Sequence, residues 1–526
     1  MIWVDREANR LKERGLALEW ADDMKTPSGR IHVGSLRGVI VHDLIYKALI
    51  VIGVKAKFSY VFNDMDPMDG LPTYLDKDVW EKYMGYPLYK IPSPEKNAKS
   101  FADYFAQEFI SVFNSLNCNP QIIWSSKLYQ SGKMDPIIKL ILDNADKVRE
   151  IYKQVAKADK PSNWFPYNPV CEKCGKIGTT NVHKWDGKHV YYRCEYHMVE
   201  WATGCGYEGK VEPIKNNGKL PWKLDWPAHW KAIGITVESS GKDHMSSGGS
   251  YDMAVQICSQ ILGIKAPDAL GGYEWFTVGG KKMSSSKGIG SSAKEVAEIL
   301  PPDLFRFLQV RTPIKTHLDF NPFGDTIPRL FDDYDRCLDA YFLKLEKNLP
   351  PGKNGEVLAD FSRIIELSEV KPLPKNRIFI PRFRTIAGLL LSKTRNIEAA
   401  FEKQAGRKLT KEELSLLQER IRYAKIYLDK YATKKEDKVT TFTLNDNQKK
   451  FLTTLKKNLS GLKGEPSRQV DIYHKTTFDT IKKIGIKPKE AFSAFYNVLN
   501  GKPYGKKAGE LIVELGVDKV IKLIDI

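Results

Sequence analysis

Long apolar runs are missing from this chain of 526 residues. The longest, Val39 to Val54, is interrupted by His42, Asp43 and Lys47. It predicts a buried helix and excludes a membrane span. Cysteine is scarce: seven in all, of which Cys118, Cys258 and Cys337 stand alone while Cys171, Cys174, Cys194 and Cys205 crowd into one short region. That distribution excludes a disulfide framework and fits metal ligation in a reducing compartment. The first fourteen residues are charged and amphipathic and carry no secretory signal, so the expectation is a cytoplasmic protein without membrane contact. No segment recurs at a fixed period, which excludes a solenoid. Acidic residues are in short supply: 64 Asp and Glu against 82 Lys and Arg leave a net charge of +18. An excess of that size suits a partner with a phosphate backbone.

What is present divides along the chain. Leu16-Ala17-Leu18-Glu19-Trp20 predicts a strand, the apolar stretch after Gly34 a helix, and Lys57–Phe62 a second strand, which together make a βαβ unit. Phe101 to Leu116 has helical spacing. Ile122-Ile123-Trp124 suits a third strand and Pro136 to Ala156 a long helix. From Pro161 to about Pro227 Trp, Pro, Gly, Cys and Lys dominate, the texture of a small inserted domain. Strand and helix patterns resume at Asp252–Leu262 and Trp275–Val278, a helix is expected from Pro301 to Val310, and amphipathic helices prevail from Phe331 onward.

Two segments suit phosphate. In Thr26 to Gly38, Pro27 and Gly29 bend the backbone and Gly34 admits close approach of a ligand. A helix starting there points N–H groups and its positive end at the loop, and His32 adds a donor. The segment is neither a Walker loop nor a G-x-G-x-x-G turn. In the second segment, Gly279-Gly280 precede Lys281 and Lys282, and Ser284, Ser285 and Ser286 lie between Lys282 and Lys287. Such a cationic Gly/Ser loop can clamp a triphosphate as pyrophosphate leaves.

Together, P-x-G-x-x-H-x-G near the start of a βαβ unit and K-M-S-x-S-K after the fold resumes resemble the HIGH and KMSKS motifs of class I aminoacyl-tRNA synthetases. His32-Val33-Gly34-Ser35 stand in the four HIGH positions. Thr26-Pro27-Ser28-Gly29, Trp222-Lys223-Leu224-Asp225-Trp226-Pro227, Gly241-Lys242-Asp243-His244, Ser250-Tyr251-Asp252, Tyr273-Glu274 and the run Ala491 to Tyr496 further resemble class I lysyl-tRNA synthetases over nearly the whole chain. Three positions depart from the patterns. Ser285 stands where KMSKS has lysine, as a small residue does in the lysyl type. Met24 stands where the family usually has glycine, and Gly38 where it often has glutamate.

The resemblance implies a Rossmann-like parallel-sheet α/β catalytic domain with a zinc-ribbon insertion, followed by an all-helical C-terminal domain. The expected boundaries are 1–160 and 226–280 for the catalytic domain, 161–225 for the insertion, 281–330 for the KMSKS-like loop and stem-contact region, and 331–526 for a helical anticodon-binding region. It implies activation of lysine by ATP and transfer to tRNA(Lys), with His32, Lys282 and Lys287 as catalytic groups. ATP would meet Pro27, Ser28, Gly29, His32, Gly34, Lys282, Met283, Ser284, Ser286 and Lys287, with Mg²⁺ on the nucleotide. L-lysine would meet Thr26, Trp222, His244 and Tyr273, whose aromatic faces suit an apolar stem with a cationic tip. The alternatives are a glutamyl or arginyl synthetase, and a synthetase-derived RNA-binding protein without aminoacylation. A monomer is expected. Lys449-Lys450, Lys456-Lys457, Lys482-Lys483 and Lys506-Lys507, with neighbouring aromatics, suit splayed single-stranded bases.

The cysteines predict one structural Zn²⁺. Cys171-x-x-Cys174-Gly175 is one knuckle, Cys194 a third ligand, and Cys205-Gly206 the second knuckle. His197 is the rival fourth ligand through Cys194-x-x-His197. The glycine after Cys205, matching Gly175 after Cys174, favours Cys205.

Overall fold

The computed structural model describes residues 1–279, 292–432, 444–460, 462, 469–501 and 507–525. The chain forms two compact units, Met1–Ala432 and Thr433–Ile526.

The first unit is built on a parallel sheet. Strand β1 (Glu19–Lys25) pairs with β2 (Ala56–Phe62), and β2 with β3 (Gln121–Trp124), all parallel. On the other side of β1, single parallel bridges add Val237 and then Asp268, so five chain segments lie in the order β3, β2, β1, 237, 268. The first strand begins three residues later and ends five residues later than the apolar stretch Leu16–Trp20 predicts. Its C-terminal half, Asp22-Asp23-Met24-Lys25, carries three charged residues, two of which, Asp23 and Lys25, line the cavity described below, and that composition hides it from a hydrophobicity reading. The expected long helix over Pro136–Ala156 is two helices, Asp135–Asp143 and Ala145–Ala156, broken at Asn144.

Between β1 and β2 lies helix α1 (Leu36–Val51), entered through a single 3₁₀ turn at Val33–Ser35. Its first ten residues are all buried, which is why its sequence lacks an amphipathic pattern. Two buried charges tie it down. The Arg37 guanidinium donates to the carbonyls of Gln309, Thr312 and Pro313 at 2.9–3.1 Å. Asp43 receives Arg306 at 2.5 Å, and Arg306 also donates to the carbonyls of Leu116 and Leu367. The helices from Thr326 to Lys430 contribute Phe331, Leu338, Phe383 and Leu417 to the same core as α1 and β2.

Between residues 168 and 219 the chain forms two small antiparallel sheets. One is three-stranded (Thr180–Trp185, Val190–Cys194, Glu208–Val211), and the other pairs Asn168–Pro169 with Gly218–Lys219. The second unit is helical, with Phe451, Leu455, Ile481, Phe495 and Ile512 in its own core. Among the described residues, no helix is long and apolar enough to cross a membrane.

Asp43 also meets Lys47 at 3.0 Å, so losing Arg306 leaves the buried carboxylate with one partly exposed partner. Arg306→Met should therefore lower unfolding free energy by up to about 3 kcal/mol in urea denaturation, and adding Asp43→Leu should recover part of it. Equal loss in the single and double variants would show that the pair itself is not what matters.

Candidate active site

Parallel sheets bind ligands beyond the carboxyl ends of their strands, where the strand order reverses. Here that point lies between β1 and the segment at Val237. A cavity of about 950 Å³ opens there, lined from widely separated parts of the chain. Thr26, Ser28, His32 and Gly34 contribute from the loop after β1, Trp222 from the helix Trp222–Ile233, and Ser239, Ser240, Gly241, Asp243, His244 and Tyr273 from the far side of the reversal. Thus all four residues expected around lysine line one space with three of the residues expected around ATP. Pro27 and Gly29 belong to the same turn but are not among its lining residues. Lys282, Met283, Ser284, Ser286 and Lys287 lie outside the described residues.

The loop side is tightly built. His32 precedes the 3₁₀ turn, and its carbonyl accepts the Ser35 N–H at 3.0 Å. A Cβ on Gly34 would stand 2.9 Å from the His32 ring and 3.1 Å from the carbonyl of Phe276, so only glycine lets the strand Phe276–Val278, the ring and the helix entrance pack together. Burial, with Lys25 nearby, lowers the pKa of His32 to about 3, so the imidazole is neutral at physiological pH. A neutral imidazole donates from one nitrogen without adding a fixed charge.

The far side is aromatic. Trp222 lies 5.6 Å from Trp226 in a stacked pair and 5.3 Å from the edge-on ring of His244. Trp226 and Trp230 both donate their indole N–H to Glu238, at 2.7 and 2.5 Å.

Several lining residues escape motif reading. Thr26 Oγ1 donates to Asp66 at 2.5 Å, and Asp66 also receives Lys219, which reaches Asp225 at 2.8 Å. Burial pulls the Lys219 pKa down, but the two carboxylates more than restore it, so the lysine stays charged. Asp225 in turn accepts Tyr129 at 2.5 Å. This chain fastens the Thr26 loop to the short strand Gly218–Lys219. The acid-rich turn Asn63-Asp64-Met65-Asp66 directly after a strand was the available signal. Asp23, Asn63, Glu238, Ser239 and Ser240 also line the cavity. The doublet Asp22-Asp23 beside apolar positions was the sign for the first of these.

The four cysteines converge. Cys171, Cys174, Cys194 and Cys205 place all their sulfurs within 4.8 Å of one another, with the pairs Cys171–Cys205 and Cys174–Cys194 at 3.7 Å. A tetrahedral ZnS₄ centre with bonds of about 2.3 Å needs edges of about 3.8 Å, so the donor set and its spacing fit that ion. Gly175 and Gly206 adopt φ of +77° and +72°, and their N–H groups donate to the carbonyls of Cys171 and Cys194 at 2.8 Å. These are the tight turns that glycine after a knuckle cysteine permits. His197 is exposed and outside the group.

The family described as tRNA synthetases class I (K) matches residues 1–371. A lysine–tRNA ligase from Methanocaldococcus jannaschii is 34% identical over 99% of both chains. Another, from Methanococcus maripaludis, is 33% identical, again over 99% of both. A solved glutamate tRNA ligase from Elizabethkingia meningosepticum aligns over 96% of this chain and 98% of its own at 13% identity and a TM-score of 0.33, a likeness too slight to carry a statement about function.

Burial raises the Glu238 pKa to about 8 against the pull of its two indole donors. The folded protein thus keeps a proton that the unfolded chain releases near pH 4.5, so this residue's support for folding is complete at low pH and withdrawn as pH rises to about 8. Above pH 6.5 the lowered His32 and His42, at about 3 and 4, add no slope of their own. Between pH 6.5 and 8, Glu238→Gln should remove a decline in stability of about 2 kcal/mol. Urea midpoints at the two pH values read it, and an identical decline in both proteins would refute the assignment.

Proposed function

The chain belongs to the class I (K) tRNA synthetases, and from that premise we propose that it activates L-lysine with ATP and transfers it to tRNA(Lys). The observation that carries the reading is the meeting of Thr26, Trp222, His244 and Tyr273 with His32 and Gly34 around one cavity. The near-full-length likeness to archaeal lysine–tRNA ligases supports the choice of amino acid.

In the first step a carboxylate oxygen of lysine attacks the α-phosphorus of ATP in line. An O–P bond forms, the bond to the bridging oxygen breaks, and pyrophosphate leaves. In the second, a ribose hydroxyl of the terminal adenosine of tRNA attacks the acyl carbon and AMP departs. No side chain becomes covalently bound. The protein positions the partners and stabilises charge that grows in the transition state. Neutral His32 donates to an α-phosphate oxygen beside the entrance of α1. Lys282 and Lys287 follow the departing pyrophosphate, and Mg²⁺ enters with ATP. Trp222 and His244 pack the methylene stem of lysine.

The cysteine cluster holds one structural Zn²⁺ with no open coordination position. Its task is to fold the ribbon that ends at Lys219. The unit Thr433–Ile526 carries 19 Lys and Arg against 11 Asp and Glu, which suits binding of the tRNA anticodon region.

ATP–pyrophosphate exchange across the amino acids tests the reading: lysine should support exchange, and exchange with glutamate or arginine alone would overturn it. His32→Ala should slow lysine-dependent exchange by on the order of 10²-fold or more, as loss of one transition-state donor does. A rate within twofold of the parent would remove the histidine from the mechanism.

For the metal, Cys205→Ser should lose stoichiometric zinc while His197→Ala keeps it. Charging of tRNA should fall further than lysine activation when zinc is lost. Retained zinc in the first variant and lost zinc in the second would exchange the two ligands.

A further inference from the structure

Three carboxyl groups are buried at or beside the floor of the cavity. Asp22, Asp23 and Glu238 are respectively 0%, 7% and 2% exposed. Among the described residues, none of the three forms an ion pair, although Lys25 also lines the space. Buried carboxylates without a cation are costly unless they hold a proton or await a charged ligand.

The three are not equivalent. Glu238 has its two oxygens occupied by the indoles of Trp226 and Trp230. Asp22 does not line the cavity, and one of its oxygens receives the Ser59 hydroxyl. Asp23 lines the cavity, and its Oδ1 takes the Met24 N–H at 2.9 Å while Oδ2 accepts no protein donor among the described residues. That second oxygen occupies a niche that exists only because residue 38 is glycine. A Cβ on Gly38 would collide with Asp23 Oδ2 and stand 2.8 Å from the Tyr273 hydroxyl and 3.0 Å from Asp23 Cγ.

We propose that Asp23, seated in the niche left by Gly38, is the carboxylate that receives the side-chain ammonium of the amino-acid substrate. Resting on the lysine-activating reading above, the assignment names the residue that sets specificity.

Depth supports it. Gly34 marks the end of α1 where phosphate chemistry takes place, and Gly38 lies four residues on, about 6 Å along the helix. The substrate carboxylate must sit at the first level. The four-carbon stem of lysine carries its ammonium to the second, past Trp222 and His244. An ammonium has three N–H donors, and Asn63 Oδ1, Ser239 Oγ and Ser240 Oγ, which lack partners among the described residues, line the same space as further acceptors. Burial and the neighbouring Glu238 disfavour the ionised form of Asp23, a penalty that an arriving cation removes. An anionic side chain such as glutamate would meet repulsion there.

The test measures KM for lysine and for ATP in the exchange reaction, and lysine affinity by calorimetry, for the parent protein, Asp23→Asn, Glu238→Gln, Gly38→Ala and the double variant Asp23→Asn/Gly38→Ala. Asp23→Asn should raise the lysine KM by about 10- to 100-fold, as loss of a charge-assisted hydrogen bond does, with ATP KM within twofold. Gly38→Ala should shift the lysine KM the same way by displacing the carboxylate. The double variant should be little worse than either single, because both act on one group.

An unchanged ATP KM shows that each variant is folded. If parent exchange depends on lysine but Asp23→Asn leaves the lysine KM within threefold, this inference falls and the functional reading stands. A large effect in Glu238→Gln and none in Asp23→Asn would move the role to Glu238 and overturn it equally. If lysine binds without supporting exchange, and Asp23→Asn abolishes binding, the reading falls and the inference stands. If lysine neither binds nor supports exchange, both fall.

Discussion

The close approach of helix α1 to the carboxyl end of the sheet governs the rest of this site. Gly34 allows the His32 ring and the Phe276 carbonyl to meet the helix entrance, and Gly38, one turn on, leaves room for the Asp23 carboxylate. A methyl group at either position would push a functional side chain out of place. The helix has little freedom to yield, because Arg37 and Asp43 anchor it through buried polar contacts to the segment after Pro301. The two glycines therefore transmit the rigidity of the core directly to the His32 ring and the Asp23 carboxylate.

The ribbon between 168 and 219 is connected to the same machinery by charge. Lys219 joins Asp66 and Asp225, and Asp66 accepts the Thr26 hydroxyl. A fully buried lysine between two carboxylates tolerates little displacement, since moving it strands three charges at low dielectric. The cysteine cluster orders the ribbon, the ribbon ends at Lys219, and Lys219 reaches the substrate loop. The cysteine cluster is thereby linked to the Thr26 loop through a short series of named contacts.

Much of this was legible in the chain. The P-x-G-x-x-H-x-G turn, the strand at Lys57–Phe62 and the helix at Phe101 stand where local pattern puts them, because apolar periodicity and glycine placement report directly on core packing and tight turns. The knuckle glycines likewise announced their left-handed turns. Strand β1 was misplaced because its functional half is polar, and the helix from Pro136 broke at Asn144 for a local reason that periodicity does not encode. Asp66, Lys219, Glu238 and Asp23 were not foreseen. Lys219 and Asp66 pair across 153 residues of chain, and Asp23 and Glu238 meet the cavity from segments far apart in the sequence; such convergence leaves no mark on local spacing.

Gly38 and Asp23 show how such a pairing can still be recovered. At the level of sequence, Gly38 is only a helix position without a side chain. In the fold, that absence and the aspartate on β1 are one feature: the helix withdraws a side chain and the strand supplies a carboxylate to the same space. A side chain at residue 38 would collide with the Asp23 carboxylate and crowd the Tyr273 hydroxyl. Gly38 and Asp23 lie on different elements of the chain, yet the fold makes the size of one decide the position of the other.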